Sequence, residues 1–545
     1  MPQHLLSLVA LLSPLLFALT ALVSWFQPGL QPTAVKKLSI LSSILSIPVA
    51  AACGFFVYRH GLLQSGLLGT EGLGLSIQLD TLSVLMYSMI ALLGFIIIRF
   101  SQNYLDGDAR QGAFLGRLAA TLASVQLLVL SGNLGLLFVA WVLTSISLHR
   151  ILLFYPERRG AIIAARKKFI LARLGDACLL AASVILYQQY GTGNLEVIFQ
   201  TVQSSVLAGV LLPGVEAAAL LLVLAALLKS AQFPTHGWLV EVMETPTPVS
   251  ALLHAGLLNA GPFLIIRMAF VMDASTYAPL VLIAIGGFTA LFASVVFLTQ
   301  TSIKTALGYS SVAHMGFSLM VCGLGVYPAA LLHLVAHSFY KAHAFLSSGS
   351  VIDVIRASKV AKATRLGSPV RIIAGILLAL GVYIGFSLLL GFDLTADLSL
   401  LAVGAIIVMG LSRLFASAID SDGSIKLLLR ACVLSVVVAT AFFTLEGGTH
   451  YLIASQLPVP AQPSLLKIGL TGALLVLFGI TVLLQMLAPA ISSKPAYRAW
   501  AVHIRNGFYL NALFDRLVGA FSLRTATATS EPLNQTEVLR EGKVR

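Results

Sequence analysis

Charge is what this sequence has least of. Asp, Glu, Lys and Arg together make up 10% of its 545 residues, where a typical soluble domain carries roughly a quarter. With 58% hydrophobic residues, that scarcity excludes an ordinary soluble enzyme and points to an integral membrane protein. The alternation over about ten residues that marks a transmembrane barrel strand is missing, so the spans are helical. Cysteine is scarce too. Cys53, Cys178, Cys322 and Cys432 are scattered through apolar segments, with neither the spacing of a metal site nor a disulfide framework. There is no phosphate-binding glycine loop, zinc motif or nucleophile elbow. Acidic residues number 21 against 34 basic ones, a formal net charge of +13. In a soluble chain that excess suggests nucleic acid. In a membrane chain basic residues mark cytoplasmic loops, and no nucleic-acid partner is expected.

A spanning helix needs about 20 apolar residues. Such stretches cover residues 4–26, 38–58, 79–99, 114–131, 134–155, 167–188, 214–240, 246–270, 278–299, 303–325, 328–352, 371–392, 398–419, 427–445 and 465–489. The expected fold class is all-α and polytopic, with about fifteen spans. One transmembrane domain occupies residues 1–490, its core at about 75–420, and a tail follows over 491–545. The first stretch, Leu5 to Phe26, lacks a basic leader and reads as a first span rather than a cleaved signal. Lys36, Lys37, Arg110, Arg158, Arg159, Arg166, Lys167, Lys168, Arg356, Lys359, Lys362, Arg365 and Lys426 fall after the first, third, fifth, eleventh and thirteenth spans. The connections after the fourth, sixth, tenth and twelfth spans have no lysine or arginine. That alternation puts the N-terminus outside and the C-terminus in the cytoplasm. The tail segment "KPAYRAWAVHIRNGFYLNALFDRLVGAF" reads as an interfacial amphipathic or partner-docking element. The polar end, "TATATSEPLNQTEVLREGKVR", is expected to have little order.

An ionisable residue inside a span costs roughly 2.5–3.5 kcal/mol on insertion scales, so the few that occur are the pointers to function. Lys229 sits about 20 Å along its helix from Val215, at about 1.5 Å per residue, too deep to snorkel. Pro234 follows it, and irregular backbone at that depth is tolerated where it lines a wet or protein-filled cavity. A lysine balanced between burial, which disfavours charge, and an acidic neighbour, which favours it, can take up and release a proton. His254 lies about two turns into the next span, after "ETPTP", and imidazole titrates near neutrality. Glu244 is a candidate counter-ion. Asp176, spaced to pair with Arg173, is another. On the eleventh span His333, His337 and Lys341 recur every fourth residue and share one stripe, which suggests a hydrated proton wire. A metal held by the two histidines is the competing reading, but no acidic or cysteine ligand shares the stripe. His343 lies off the stripe and reads as a packing residue. Lys304 opens the tenth span near the cytoplasmic surface. Asp80 reads as interfacial, and Asp393 and Asp397 as solvated.

These motifs resemble the proton-translocating antiporter-like membrane subunits, a family that includes complex I subunit 5 and the large subunits of Mrp-type sodium/proton antiporters. The resemblance rests on "KSAQFPTHGWLVEVMETPTPVSALLHAG", "NLGLLFVAW", "RLGD", "TSIKTALGYSSVAHMGF", "HLVAHSFYKAHAFLSSGSVI" and "NGFYLNALFDRLV". It covers about residues 75–355 and the tail segment. It implies two inverted repeats of five helices, with broken seventh and twelfth spans. It also implies a hydrophilic axis on which Lys229, His254, His333, His337 and Lys341 carry protons.

Two departures stand out. Family members have a glutamate directly after the tryptophan of the fifth span, paired with the lysine of the seventh; here Val142 follows Trp141. They also have a lysine in the broken twelfth span, where this chain reads "GFSLLLGFDLTADL". Those losses, together with "SISLHRILLFYPERRGAIIAARKKFILARLGD", are similar to the DabB branch, the membrane subunits of two-component inorganic carbon pumps. That resemblance implies a proton-driven, non-enzymatic subunit of a CO2/bicarbonate accumulation pump with no cofactor of its own. It further implies a cytoplasmic DabA-like zinc partner related to β-carbonic anhydrases, which holds the zinc and the catalysis. A complex I subunit 5-like or Mrp-type antiporter subunit is the alternative, with sodium as the less favoured coupling ion.

Overall fold

The computed structural model describes residues 3–210, 213–349, 369–389, 398–419, 425–459, 463–491 and 494–517. Arg356, Lys359, Lys362, Arg365, Asp393, Asp397, the expected break in the twelfth span and the polar C-terminal end lie outside the described residues.

The chain is almost entirely helical. In order come α1 (His4–Val23), α2 (Thr33–His60), α3 (Thr81–Tyr104), α4 (Gln111–Val129), α5 (Leu134–Leu152), α6 (Arg159–Tyr190) and α7 (Gly214–Lys229). They are followed by α8 (Thr247–Arg267), α9 (Ala278–Phe297), α10 (Ile303–Gly323), α11 (Tyr327–Leu346) and α12 (Pro369–Leu389). The last are α13 (Leu398–Ile419), α14 (Ile425–Ile453), α15 (Leu465–Ile491) and two tail helices, α16 (Pro495–Arg505) and α17 (Leu510–Leu517). Among the described residues, ten helices are long and apolar enough to cross a membrane: α1–α6, α8, α9, α14 and α15. The chain is a multi-pass membrane protein. Exposed Leu15, Leu377, Val433 and Leu466 face outward, as lipid-facing side chains do.

Local chemistry sets the helix ends. Asn133 caps α5 by accepting from the Leu136 amide at 2.8 Å, and Gly191 ends α6 in the left-handed region. Between α2 and α3 lie two short antiparallel pairings, Leu63–Gln64 with Gln78–Leu79 and Leu68–Thr70 with Leu73–Leu75. A short helix, Leu195–Leu207, precedes α7. Neither feature was visible in hydropathy, because neither is apolar enough to read as a span. Where α9 and α10 cross, Gly286 and Gly316 let the backbones touch: a Cβ on either would lie 2.7 Å from main-chain atoms of the other helix.

The core gathers around α8, whose apolar window is 94% buried. Asp80, expected at the interface, is instead buried with 2% exposure. It caps α3 through a reciprocal pair of hydrogen bonds with Ser83, and its carboxylate pairs with the Arg267 guanidinium at the end of α8. The sequence shows the cap but not the arginine, which is 187 residues away. Lys167 and Lys168, expected in a loop, are inside α6, which begins eight residues earlier than the span read from hydropathy, and both are buried.

The tail folds back. Positive φ at Phe508 (52°) and Tyr509 (61°) turns the chain between α16 and α17. Asn511 then donates to Glu241 at 2.7 Å, and Lys167 joins Glu241 (2.7 Å), Asn511 (3.2 Å) and Asp515. A side chain at Gly237 would collide with Asn511. His343, read as a packing residue, is exposed.

Removing one partner of a buried ion pair strands the other charge and costs about 3–5 kcal/mol. Asp80→Ala should therefore lower the thermal unfolding temperature in detergent markedly, and the double variant Asp80→Asn/Arg267→Met should recover most of the loss. An unchanged unfolding temperature in the single variant would contradict this role.

Candidate functional site: a buried line of lysines and histidines

The line starts where α7 stops. Lys229 is the last residue of α7, and Ala231 follows with a left-handed φ of 52°. The backbone groups that the break releases find side-chain and main-chain partners. Ser230 donates to the Leu258 carbonyl (2.9 Å), Gln232 to the Ser230 carbonyl (2.8 Å), and the Phe233 amide to Thr289 (3.1 Å). The helix resumes as the short turn Gly237–Glu241, which the tail clamps.

Lys229 points at α5. Its ammonium donates to the Trp141 carbonyl at 3.2 Å, the Thr144 hydroxyl at 2.9 Å and the Ser145 hydroxyl at 2.7 Å. It also lies 4.3 Å from the centre of the Trp141 ring. Three donors meet three acceptors, and the ring supplies a cation–π contact. The cage is neutral, and Val142, next to Trp141 on α5, is half-buried.

The candidate counter-ions separate. Asp176 is buried and pairs with Arg173 at 2.6 Å, and it makes no hydrogen bond to Lys229 among the described residues. Glu244 is exposed, and its carbonyl accepts from Arg158 on the far side of the break. It does not reach Lys229.

His254 on α8 is fully buried and stacked on Phe345 of α11, with ring centres 4.3 Å apart. Among the described residues neither of its ring nitrogens has a protein partner, and the same holds for His337. His333, His337 and Lys341 do share one face of α11. That face meets His314 of α10, whose Nδ1 lies 3.2 Å from His333 Nε2 and whose ring centre is 4.9 Å from that of His337. Lys341 is fully buried and donates to the Leu307 carbonyl at 3.1 Å. A half-open, mostly apolar cavity of about 420 Å³, lined by Phe297, Phe317, Ile406 and Phe478 with His314, His333 and Gln485 among its polar groups, adjoins the histidines. It has room for several waters, each of which takes about 30 Å³. Lys304 is partly buried at the start of α10, apart from this cluster. Among the described residues no group of three His, Cys, Asp or Glu side chains is arranged to hold a metal ion.

His314 and Lys168 are the residues that sequence reasoning missed. His314 stands in the quoted "SSVAHMGF", alone on its helix, so its spacing gave no sign of the histidines facing it. Lys168 was counted among the loop cations.

Residues 131–419 match the model of the NADH:quinone oxidoreductase/Mrp antiporter transmembrane family, and residues 68–115 match the complex I chain 5 N-terminus. The "Probable inorganic carbon transporter subunit DabB2" of Halothiobacillus neapolitanus is 36% identical over 525 residues, covering 95% of each chain. The DabB counterpart of Hydrogenovibrio crunogenus is 40% identical over 344 residues, covering 63% of this chain and 64% of that one. In fold, the chain is similar to the Mrp complex from Dietzia sp. DQ12-45-1b, with a TM-score of 0.54 at 21% identity over 98% of this chain and 58% of that one. The chain belongs to the NADH:quinone oxidoreductase/Mrp antiporter family of membrane subunits, in the company of its DabB-type inorganic carbon transporter members.

Proposed function

We propose that this chain is the proton-conducting membrane subunit of an inorganic carbon accumulation pump, using the proton motive force to energise a cytoplasmic partner. One observation carries the reading. A buried lysine at a broken helix, Lys229, is held in a cage of neutral oxygens, and it is followed by buried His254 on α8 and His337 on α11, whose ring nitrogens have no protein partner among the described residues, beside half-buried His314 and His333. Lys229, His254, His337, His314, His333 and Lys341 form the relay, with Asp176 as the distant counter-charge of Lys229 and Arg173 its anchor. Buried imidazoles without protein partners are suited to hydrogen-bonded water, which a relay needs.

The relative that matches across nearly the whole length supports the carbon-pump branch. In this reading α7 and α10–α13 also cross the membrane. That gives fifteen spans in two inverted repeats of five, with the N-terminus outside and the C-terminus in the cytoplasm of a bacterial inner membrane. Three of those five helices, α7, α10 and α11, carry the relay or its break; α7 is shortened to 16 residues by the break itself. The partner is a DabA-like zinc subunit related to carbonic anhydrases, which supplies the metal and the catalysis. The tail from residue 491 is the docking element. A complex I or Mrp antiporter subunit is the second reading. The oxygen cage weighs against it, because no carboxylate partners Lys229 directly.

Lys229→Ala should abolish bicarbonate accumulation in cells while the protein stays in the membrane at wild-type level, measured by isotope uptake and immunoblot. Normal uptake would remove Lys229 from the relay. His337→Phe keeps an aromatic ring at that place but no proton carrier, and uptake should fall at least about tenfold, the scale of a lost proton-transfer group. Asn511→Ala breaks the tail's hold on Glu241 without touching the relay. It should loosen the association with the partner on co-purification, and unaltered co-purification would count against a docking role.

A further inference from the structure

Lys168 has no place in the relay just described. It lies about 14 Å along α6 from Arg159, at about 1.5 Å per residue, and is only 4% exposed. Its ammonium nitrogen donates to the Ser145 carbonyl at 2.6 Å, and that is its one protein hydrogen bond among the described residues. Ser145 is the residue whose hydroxyl holds Lys229 at 2.7 Å. One serine of α5 is therefore gripped by two lysines, one from α6 and one from α7. Beside them is a small cavity of about 20 Å³ with Lys168 and Lys229 on its wall, the rest of which is apolar or aromatic, Leu148, Leu228, Trp238 and Leu257 among them. A cavity of more than about 10–15 Å³ accommodates one water.

Two buried ammonium groups this close oppose each other, since a like charge disfavours the charged form. Lys168 also lacks the directly bonded carboxylate that a buried charge needs. The charged and titratable groups around the pair are Arg173, Asp176 and His149. Asp176 is already bonded to Arg173. His149 stands one turn beyond Ser145 on α5, half-buried, its Nδ1 without a partner and its ring 5.2 Å from Phe169.

We infer that Lys168 is a second proton carrier, coupled to Lys229 across Ser145 and the water-sized cavity, and that the two amines share one proton. The step balances simply. The Lys229 ammonium gives its proton to the neutral Lys168 amine, leaving Lys229 neutral and Lys168 charged, and water or His149 then takes the proton toward the end of α5. Arrival of a proton at one lysine drives it off the other, which is the work a movable carboxylate would otherwise do. The inference rests on the proton-conducting reading above and names the carrier that stands in for the missing glutamate.

The test uses the full chain purified with its co-purifying partner, in liposomes with an internal pH dye and an imposed potassium diffusion potential. Four proteins are compared: wild type, Lys229→Ala, Lys168→Met and Lys168→His. Methionine fills the lysine's volume and removes a buried charge, so the variant should fold, and its proton flux should fall at least about tenfold. Histidine restores a titratable nitrogen, and flux should recover several-fold over methionine. A methionine variant as fast as wild type, or a histidine variant no faster than methionine, overturns the inference. No flux in wild type would instead strike the proton-conducting reading itself.

Discussion

The structure turns on a single ammonium group that must be satisfied in the middle of an apolar bundle. Lys229 has three donors, and a buried ammonium without acceptors would neutralise or pull its helix out of register. The chain supplies the Trp141 carbonyl and the hydroxyls of Thr144 and Ser145. Ending α7 at Lys229 leaves further backbone groups to satisfy: the Gln232 side chain donates to the Ser230 carbonyl and Thr289 accepts from the Phe233 amide, while the Ser230 hydroxyl ties the break to the Leu258 carbonyl. The short turn Gly237–Glu241 that follows is fixed in its turn by Asn511, while Lys167 ties Glu241 to Asp515. The break, the cage and the tail are one mechanical unit.

That unit holds Lys229 with Val142, not a carboxylate, following Trp141 on α5. A carboxylate at the position of Val142 would form a tight pair with Lys229 and hold its proton firmly. Neutral oxygens and a π-face hold the ammonium more weakly. The nearest opposite charge, Asp176, is engaged with Arg173.

The fold was legible in the sequence to the extent that it follows from hydropathy, because lipid-facing and buried helices both need long apolar runs. Helices lie where the apolar stretches are, and the stripe of His333, His337 and Lys341 followed from the spacing alone. What hydropathy cannot register is whether a polar residue faces water or a partner distant in sequence. Asp80 has the signature of a helix cap, and caps are usually exposed; the Arg267 charge, with hydrogen bonds from Ser83 and Gln78, makes its burial tolerable. Lys167 and Lys168 sit in a basic run typical of a loop, yet Asp515 and Ser145 receive them inside the protein. Glu244 and Asp176 were equal candidates on paper, and helix packing set one near Lys229 and the other on the surface. His314 needed the crossing of α10 and α11 to become visible.

The central claim is that proton flow through this chain, and not sodium flow or redox chemistry, energises inorganic carbon accumulation. The most direct test is membrane vesicles holding the chain and its partner, with internal pH and bicarbonate read together while proton and sodium gradients are imposed separately. Bicarbonate should rise only while protons flow inward, stop when an ionophore collapses the gradient, and be indifferent to sodium. Accumulation driven by a sodium gradient with the proton gradient held at zero would contradict the account.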